Sequence, residues 1–195
     1  MSIFLDGEFA FSLETEVAVK EGLKAGQELS SERVEKIASE NSYRRCYDAA
    51  ALFLSYRPRS EPEVRDRLHK RGFPPASINA VIARLKEQKL VDDADFARFW
   101  TENRDSFSPR SRWLTGQELR RKGVSEEIIT QAVGTLDDED SAYRAAWKKA
   151  RNLPRHDFQN FRRRLGEHLQ RRGFSYGIIK TTVDRLWNEL EDESQ

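Results

Sequence analysis

The clearest pattern along this 195-residue chain is a set of apolar positions that recurs about every 50 residues. Gly72, Gly123 and Gly173 each lie four residues after a leucine and begin an identical spacing of apolar residues. At six, ten and thirteen positions beyond each glycine stand Ile78, Ile82 and Leu85; Ile129, Val133 and Leu136; and Ile179, Val183 and Leu186. Steps of four and three residues keep side chains on one face of a helix. The repetition therefore predicts three copies of one helical unit.

The residues around each glycine predict how the helices end and begin. A basic pair precedes every glycine, and the pairs are Lys70-Arg71, Arg121-Lys122 and Arg171-Arg172. We expect each glycine to adopt the left-handed conformation that closes a helix, with the next apolar residue folding back on that helix. Ser60 and Glu63 form a capping-box pattern, while Ser125 and Ser175 stand where the following helices need an N-cap.

Further helices complete each copy. Helices are predicted at Asp93–Phe107, with Asp92 as the N-cap, and at Asp140–Leu153. A long helix that begins after Ser30-Ser31 and ends near Tyr56 supplies the first helix of the first copy. The predicted fold class is all-α, with three tandem three-helix repeats in an elongated, curved array.

The first residues differ from the rest of the chain. Ile3–Leu5 and Phe9–Leu13 predict two short strands around an Asp6-Gly7 turn, followed by a short helix at Glu14–Glu21. A lone hairpin is marginally stable in water, so this one should pack on the helices that follow. The predicted segments are 1–29 (hairpin and short helix), 30–89, 90–136 and 137–195 (three repeats, the last with an acidic tail).

Composition adds a charged surface to this outline. The chain is 37% hydrophobic and 34% charged, which suits a thin core with a large charged exterior. The net charge of +1 hides an excess of acid in the first 40 residues and an excess of base between residues 143 and 185. The basic third indicates either an anionic partner or a solvated helix face.

Several classes of protein are disfavoured. A single cysteine, Cys46, leaves no internal disulfide and fits a reducing cytoplasm. No apolar run approaches the roughly 18 residues needed to cross a membrane. None of His69, His156 and His168 has a second His or Cys at metal-ligand spacing. The acidic run Asp137–Asp140 is better explained as a helix start. We therefore expect no metal, no cofactor and no catalytic residues, and a protein that acts by binding.

The basic residues are the candidate binding face, and two interpretations stay open. Cations in a last helical turn stabilise a helix by roughly 0.3–1 kcal/mol, which explains the pairs without any partner. Alternatively, stacked repeats present a cationic row to an anionic partner. The candidates are Lys70, Arg71, Arg121, Lys122, Arg163, Arg164, Arg171 and Arg172.

Helical geometry separates some of these candidates. On a helix from Phe158 to Arg172, Arg164 and Arg171 share a flank with His168, whereas Arg163 points elsewhere. Trp113 stands between Arg112 and Leu114, and both core and interface remain possible for it.

Several segments together resemble the RecX family of bacterial regulators of the RecA recombinase. The matching segments are Leu90–Phe99 with Asn103-Arg104, then Glu118–Val124, Arg57–Ser60 with Leu68–Gly72, and Arg172–Ser175. Their order and spacing carry the resemblance, which covers Tyr47 to Leu190. Thr115 and Gly116 depart from the family pattern, where an aliphatic residue is expected. We expect this departure to weaken or shift the second-copy helix, with Leu114 taking over the packing.

The resemblance implies a non-enzymatic regulator that binds the RecA filament on DNA and modulates its ATPase and strand-exchange activity, with inhibition as the expected direction. The implied partners are the RecA filament and single-stranded DNA, bound directly or through RecA, with no membrane. The chain is expected to be a cytoplasmic monomer.

The alternative is a direct DNA-binding protein with helix-turn-helix-like repeats, since the third copy is basic. Against base reading, Ser125-Glu126-Glu127 is an acidic helix start that would repel phosphates.

Overall fold

The computed structural model describes residues 1–13, 15–154 and 157–192, excluding the side chain of Glu16. Predictions made at Glu14, His156 and Glu193 lie outside the described residues. The chain forms two compact units, Met1–Val91 and Asp92–Gln195.

The first unit is a two-stranded antiparallel hairpin followed by helices. Its elements are β1 (Ser2–Leu5), β2 (Glu8–Ser12), α1 (Thr15–Lys20), α2 (Ser31–Ser55), α3 (Glu61–Lys70) and α4 (Pro75–Glu87). Asp6 and Gly7 both have positive φ, 51° and 86°, as a two-residue hairpin turn requires. The predicted Asp-Gly hairpin is confirmed.

The hairpin packs on the helices behind it. Leu13 is buried with Val17 of α1 and Ile37 of α2. The Asn41 side-chain amide of α2 donates to the carbonyl of Ser12 at 2.7 Å. These contacts supply the support that an isolated hairpin lacks.

The predicted helix starts of the first unit are confirmed. Ser30 caps α2, accepting from the Arg33 amide at 3.3 Å. Ser60 and Glu63 form the capping box of α3. The core between α2, α3 and α4 includes Cys46, and burial raises the pKa of this thiol to about 11. Cys46 is therefore a protonated packing residue at neutral pH.

The second unit contains two further three-helix groups. Its elements are α5 (Asp93–Phe107), α6 (Arg112–Arg121), α7 (Glu126–Gly134), α8 (Asp138–Ala150), α9 (Phe158–Gln170) and α10 (Tyr176–Asp192). The bounds of α5 and its cap, Asp92, are those predicted. The prediction for α8 was misplaced by two to three residues. Asp137 caps α8, with the Glu139 and Asp140 amides donating to its carboxylate at 2.9 and 3.3 Å, so the helix begins and ends earlier.

All three repeats end their second helix in the same way. Gly72, Gly123 and Gly173 have φ of 79°, 77° and 85°, the left-handed conformation that was predicted. The residue after each glycine donates its amide to the leucine carbonyl five residues back: Phe73 to Leu68, Val124 to Leu119, and Phe174 to Leu169. These bonds satisfy carbonyls that the helix end leaves free. Ser125 occupies the N-cap position of α7, as predicted, but makes no side-chain cap bond. Before α10, the Ile178 amide donates to the Ser175 hydroxyl at 3.5 Å.

The expectation of a weakened or shifted helix around Gly116 was wrong. Helix α6 runs without interruption, and Gly116 is buried in it. A Cβ on Gly116 would lie 3.4 Å from Cγ2 of Ile129, so the missing side chain lets α6 approach α7 closely. The equivalent Gly166 of α9 faces Ile179 in the same way, at 3.7 Å. The departure from the family pattern is thus a packing feature.

The described elements confirm the predicted class of three-helix repeats with an N-terminal hairpin. The proposed segment boundaries at residues 29, 89 and 136 stay predictions.

Candidate anion-binding site in the second unit

The candidate site forms where the end of α9 meets the start of α6. The Ser111 amide donates to the carbonyl of Arg172 at 3.0 Å. A Cβ on Gly173 would lie 2.6 Å from the Ser111 hydroxyl and 2.7 Å from Cβ of Leu114. Position 173 therefore needs glycine both for its positive φ and for this close approach. The contact brings Arg110, the residue before Ser111, next to the basic end of α9.

Four side chains line a pocket of about 240 Å³ at this contact: Arg110, His168, Arg171 and Arg172. Three of them come from the C-terminal end of α9: His168 lies in its last turn, Arg171 is its C-cap, and Arg172 follows the cap. The fourth comes from the segment that leads into α6. The pocket wall is therefore made of three guanidinium groups and one imidazole.

Hydrogen bonds fix Arg172 and His168. The Nε of Arg172 donates to Nε2 of His168 at 3.1 Å, and its Nη1 donates to the Ser108 hydroxyl at 3.3 Å. The carbonyl of Ala145 lies at the same distance, 3.1 Å, from this Nε2. A neutral imidazole accepts from Arg172 through Nε2 when its proton is on Nδ1, and donates to Ala145 when its proton is on Nε2.

One carboxylate, that of Glu118, contacts this basic cluster in the described part of the chain. It accepts hydrogen bonds from Nε1 of Trp100 and Nε of Arg104, both at 2.8 Å, and from Arg110. Its side chain is only 11% exposed. Within residues 1–13, 15–154 and 157–192, neither Arg171 nor Arg172 has a carboxylate partner. Positive charge therefore exceeds negative charge in the pocket.

The pKa directions in the pocket reflect burial first and this excess of positive charge second. Burial, then the charges of Arg104 and Arg172, lowers the pKa of Arg110. Burial and the charge of Arg171 lower the pKa of Arg172. Burial, followed by the charge of Arg172, also lowers the pKa of His168, which favours its neutral form. Each group is disfavoured in its charged form first by burial and then by its cationic neighbours, and a bound anion would offset the repulsion from those neighbours.

Trp113 lies beside the pocket and is exposed. Its side chain is in the first turn of α6 and the residue is 64% exposed. Its Cε3 atom would be 3.3 Å from a Cβ on Gly173, so one part of the indole rests against the backbone next to Arg172. By contrast, Trp147 stacks on Tyr143 and packs against a core cluster. Of the two interpretations of Trp113, the structure excludes the core.

Three of the eight predicted basic residues are engaged locally. Lys70 pairs with Asp66 at 2.7 Å. The Lys122 ammonium lies 4.2 Å from the centroid of Trp100. Arg163 pairs with Glu167 at 3.4 Å and lines a different groove, of about 340 Å³, between α9 and α10. These contacts account for the three side chains without a partner molecule.

The other predicted basic residues are exposed or lie in the pocket. Arg71, Arg121 and Arg164 are exposed, and their side chains make no hydrogen bond or ion pair with the described residues. Only Arg171 and Arg172 of the predicted set line the pocket together. Arg164 is not part of the pocket wall, although it shares a helix flank with Arg171.

Arg110 is the functional candidate that the sequence interpretation missed. A signal for it existed, because Pro109-Arg110-Ser111 repeats Pro58-Arg59-Ser60 at the period of the repeat. In both places the serine caps the next helix. The earlier arginine has another role: Arg59 lies over the ring of Phe53, 4.1 Å from its centroid.

In the described part of the chain, no group of three or more His, Cys, Asp or Glu side chains could hold a metal ion. No described helix has both the length and the apolar character of a membrane span.

Three-helix units in tandem behind a short hairpin define a helical-repeat protein, here with an exposed cationic pocket. Models of the RecX family match every part of this plan: the regulatory protein RecX N-terminal domain at residues 1–30, and the RecX first, second and third three-helix domains at 46–85, 92–133 and 137–183. The chain belongs to the RecX family.

Individual relatives agree with this assignment. Regulatory protein RecX of Bacillus subtilis (strain 168) is 32% identical over 198 residues, spanning 100% of this chain and 75% of the relative. Regulatory protein RecX of Clostridium botulinum (strain Eklund 17B / Type B) is 30% identical, spanning 98% of this chain and 92% of the relative.

Solved structures share the fold. A crystal structure of regulatory protein RecX aligns with a TM-score of 0.65 at 24% identity, covering 94% of this chain and 92% of that one. The crystal structure of RecX from Lactobacillus salivarius also aligns at 0.65, with 25% identity, covering 75% of this chain and 97% of that one.

Proposed function

We propose that this protein binds the RecA filament on DNA and modulates its ATP hydrolysis and strand exchange, with inhibition as the direction, and that it does so without catalysing a reaction. The observation that carries the proposal is the match of all four RecX family models in order along the chain. The relatives are named regulatory proteins. RecA is the proposed partner because the chain resembles the RecX family.

The charged surface supports a binding role. Arg71, Arg121, Arg164 and Arg171 are exposed and make no described side-chain hydrogen bond or ion pair. Unpaired, solvated guanidinium groups are suited to carboxylate and phosphate partners, because their planar fork matches both. We propose that these residues contribute more to partner binding than Lys70, Lys122 and Arg163, which already have contacts within their own unit.

The test measures RecA activity in the presence of the protein. RecA, single-stranded DNA and ATP are mixed with increasing amounts of the purified, monomeric protein, and ATP hydrolysis and strand exchange are followed. We expect both rates to fall with concentration and to level off at saturation. Unchanged rates at saturating protein would reject the proposal.

A charge-reversal pair tests the surface. Arg164→Glu with Arg171→Glu should weaken the effect on RecA while leaving helix content unchanged. A control with equal charge change is Arg84→Glu with Arg98→Glu, since both side chains are exposed, at 54% and 64%. Equal losses in the two double variants would show that net charge alone matters, whereas an unaltered effect of the Arg164/Arg171 variant on RecA would leave the basic pairs as helix-end cations only.

Direct DNA binding is the second candidate, and the cationic pocket favours it. A protein that contacts phosphates loses affinity steeply as salt rises. Binding to DNA in the absence of RecA, measured across salt concentrations, separates this candidate from one that acts only through RecA.

A further inference from the structure

We propose that the pocket formed by Arg110, His168, Arg171 and Arg172, together with Trp113, binds a short stretch of single-stranded nucleic acid directly. A backbone phosphate occupies the pocket and a base stacks on the indole. This site adds to the proposed function and rests on it in one respect: the single-stranded DNA that carries a RecA filament supplies the ligand.

The pocket is built for an anion. Three guanidinium groups line about 240 Å³, and in the described chain Glu118 pairs with only one of them, that of Arg110, while it also accepts from Arg104. The space admits a phosphate group with some hydration water, at about 30 Å³ of liquid per water. Arg171 is exposed and Arg172 is held in place by His168 and Ser108, so the guanidinium of Arg172 is oriented before a ligand arrives.

The neighbouring indole points to a nucleic acid. Trp113 is 64% exposed although it contacts the backbone at Gly173, directly after Arg172. An aromatic face beside cations is the arrangement by which proteins hold single strands, with bases stacking and phosphates paired. A carboxylate-rich peptide would engage the arginines but gives the indole no role.

The indole also favours a single strand over a duplex. Bases inside a duplex are stacked on one another and cannot reach a side chain that lies on the protein surface. Single-stranded bases are free to stack on Trp113 while the adjoining phosphate enters the pocket. The strand is therefore held by its backbone charge and by the face of one base, without reading of base identity.

The phosphate contact is tested without RecA. Binding of a labelled oligothymidylate is followed by fluorescence anisotropy at several salt concentrations, for Arg171→Gln and for Arg98→Gln. Arg98 is the control because it lies in the same unit, is 64% exposed, and is neither a candidate binding residue nor part of the pocket. We expect Arg171→Gln to reduce the slope of log affinity against log salt by about 0.7, the value for one phosphate on a single strand. Arg98→Gln should keep the wild-type slope. Equal slopes in the two variants would overturn the proposal.

The stacking contact is tested with Trp113→Ala against Phe107→Ala, a control aromatic that is 83% exposed in the same unit. We expect Trp113→Ala to weaken oligothymidylate binding by about 5-fold or more, the usual effect of removing one stacked base. Phe107→Ala should bind like the wild type. On an oligonucleotide of abasic sites, Trp113→Ala and the wild type should bind equally. Wild-type affinity of Trp113→Ala for oligothymidylate would overturn the proposal, and Trp113→Gln repeats the test if the alanine variant loses helix content.

Two further ligands and one spectroscopic signal distinguish other occupants. Duplex DNA should show no dependence on Trp113. Polyglutamate that binds with the same dependence on Arg171, while oligothymidylate does not bind, would assign the pocket to protein carboxylates and overturn the proposal. On adding oligothymidylate, the ring NMR signals of His168 should shift while those of the exposed His69 do not; unmoved His168 signals would count against it.

The RecA assays separate the two proposals. If Trp113→Ala loses oligonucleotide binding but still regulates RecA, the nucleic-acid site stands apart from the regulatory function. If the wild type binds single strands at this site but leaves RecA unaffected, the proposed function fails and the site remains.

Discussion

The Ser111 amide donates to the carbonyl of Arg172 across 3.0 Å, although 61 residues separate them in the chain. This bond joins the start of α6 to the end of α9, and with it joins the second repeat to the third inside the second unit. It also sets Arg110 beside Arg171 and Arg172. The candidate site therefore depends on a backbone contact between repeats, and changes at that contact should be measurable in stability.

Gly173→Ala should destabilise the protein more than Gly72→Ala. Both glycines have positive φ, which costs an alanine roughly 1–2 kcal/mol. A Cβ at Gly72 meets nothing within 4 Å, whereas one at Gly173 would lie 2.6 Å from the Ser111 hydroxyl. Overpacking of this kind costs a further ~1–3 kcal/mol. Urea unfolding followed by circular dichroism measures both variants, and equal losses would contradict the tight contact.

Glu118→Gln should lower the unfolding free energy by about 1–3 kcal/mol, because it removes the charge that faces Arg104 and Arg110 at a mostly buried position. Glu127→Gln, at an exposed position in α7, is the control and should stay within about 0.5 kcal/mol. All four tryptophans lie in the second unit, so tryptophan fluorescence during urea unfolding reports on it selectively. A Glu118 variant as stable as the control would show that the ion pairs contribute little.

The neutral state of His168 should make stability fall with mild acid. Burial, Arg172, Arg171 and Lys149 lower its pKa in the folded chain, while the Ala145 carbonyl opposes them. Since the folded pKa lies below the ordinary value of about 6.5, the unfolded chain binds the proton first as pH falls, and stability is lost from about pH 6.5 downward.

The measurement compares unfolding free energies at pH 7.5 and 5.5 for the wild type, His168→Gln and His69→Gln. The wild type and His69→Gln should lose stability over this range, and His168→Gln should lose less. The carboxyl groups of Glu61, Glu126 and Glu189, whose pKa values are lowered, act in more acidic solution. If His168→Gln loses as much unfolding free energy between pH 7.5 and 5.5 as the wild type, the pH dependence comes from another group.

Gly166→Ala should stabilise the second unit, and Gly116→Ala should do so less. Alanine in a helix interior is favoured over glycine by about 0.5–1 kcal/mol. A Cβ at Gly166 meets Ile179 at an ordinary 3.7 Å, but one at Gly116 meets Ile129 at 3.4 Å, which leaves no spare room. Fluorescence-detected unfolding of both variants tests the order, and a larger gain for Gly116→Ala would contradict the closer packing of α6 on α7.

Local features of the fold were predictable from the sequence. The capping box of Ser60 and Glu63, the cap at Asp92 and the left-handed glycines depend on residues at most five apart, whose hydrogen bonds form wherever the helix forms. The misplacement of α8 has a local cause as well. Four consecutive acidic residues from Asp137 to Asp140 offer several possible caps, and the pattern alone does not choose among them.

The site was less predictable. Arg171 and Arg172 were candidates, but so were six other basic residues, four of them in equivalent pairs before a glycine. Their separate roles depend on neighbours distant in sequence, such as the Trp100 ring beneath Lys122. The prediction of a weakened helix around Gly116 failed for a related reason. Gly116 allows close packing against Ile129 of the next helix, whereas helix propensity treats glycine only as destabilising.

The sequence by itself determined the repeat, its helix starts and ends, the hairpin, and the family resemblance, because hydrophobic period, caps and turns act over a few residues. Only the tertiary structure decided which basic side chains lie together in the pocket. Arg110 and Arg172 come together because α6 packs on the glycine-terminated end of α9, and Glu118 leaves Arg171 and Arg172 uncompensated because its carboxylate is taken by Arg104 and Arg110. Such contacts depend on the packing of whole helices against one another, which no short stretch of sequence specifies.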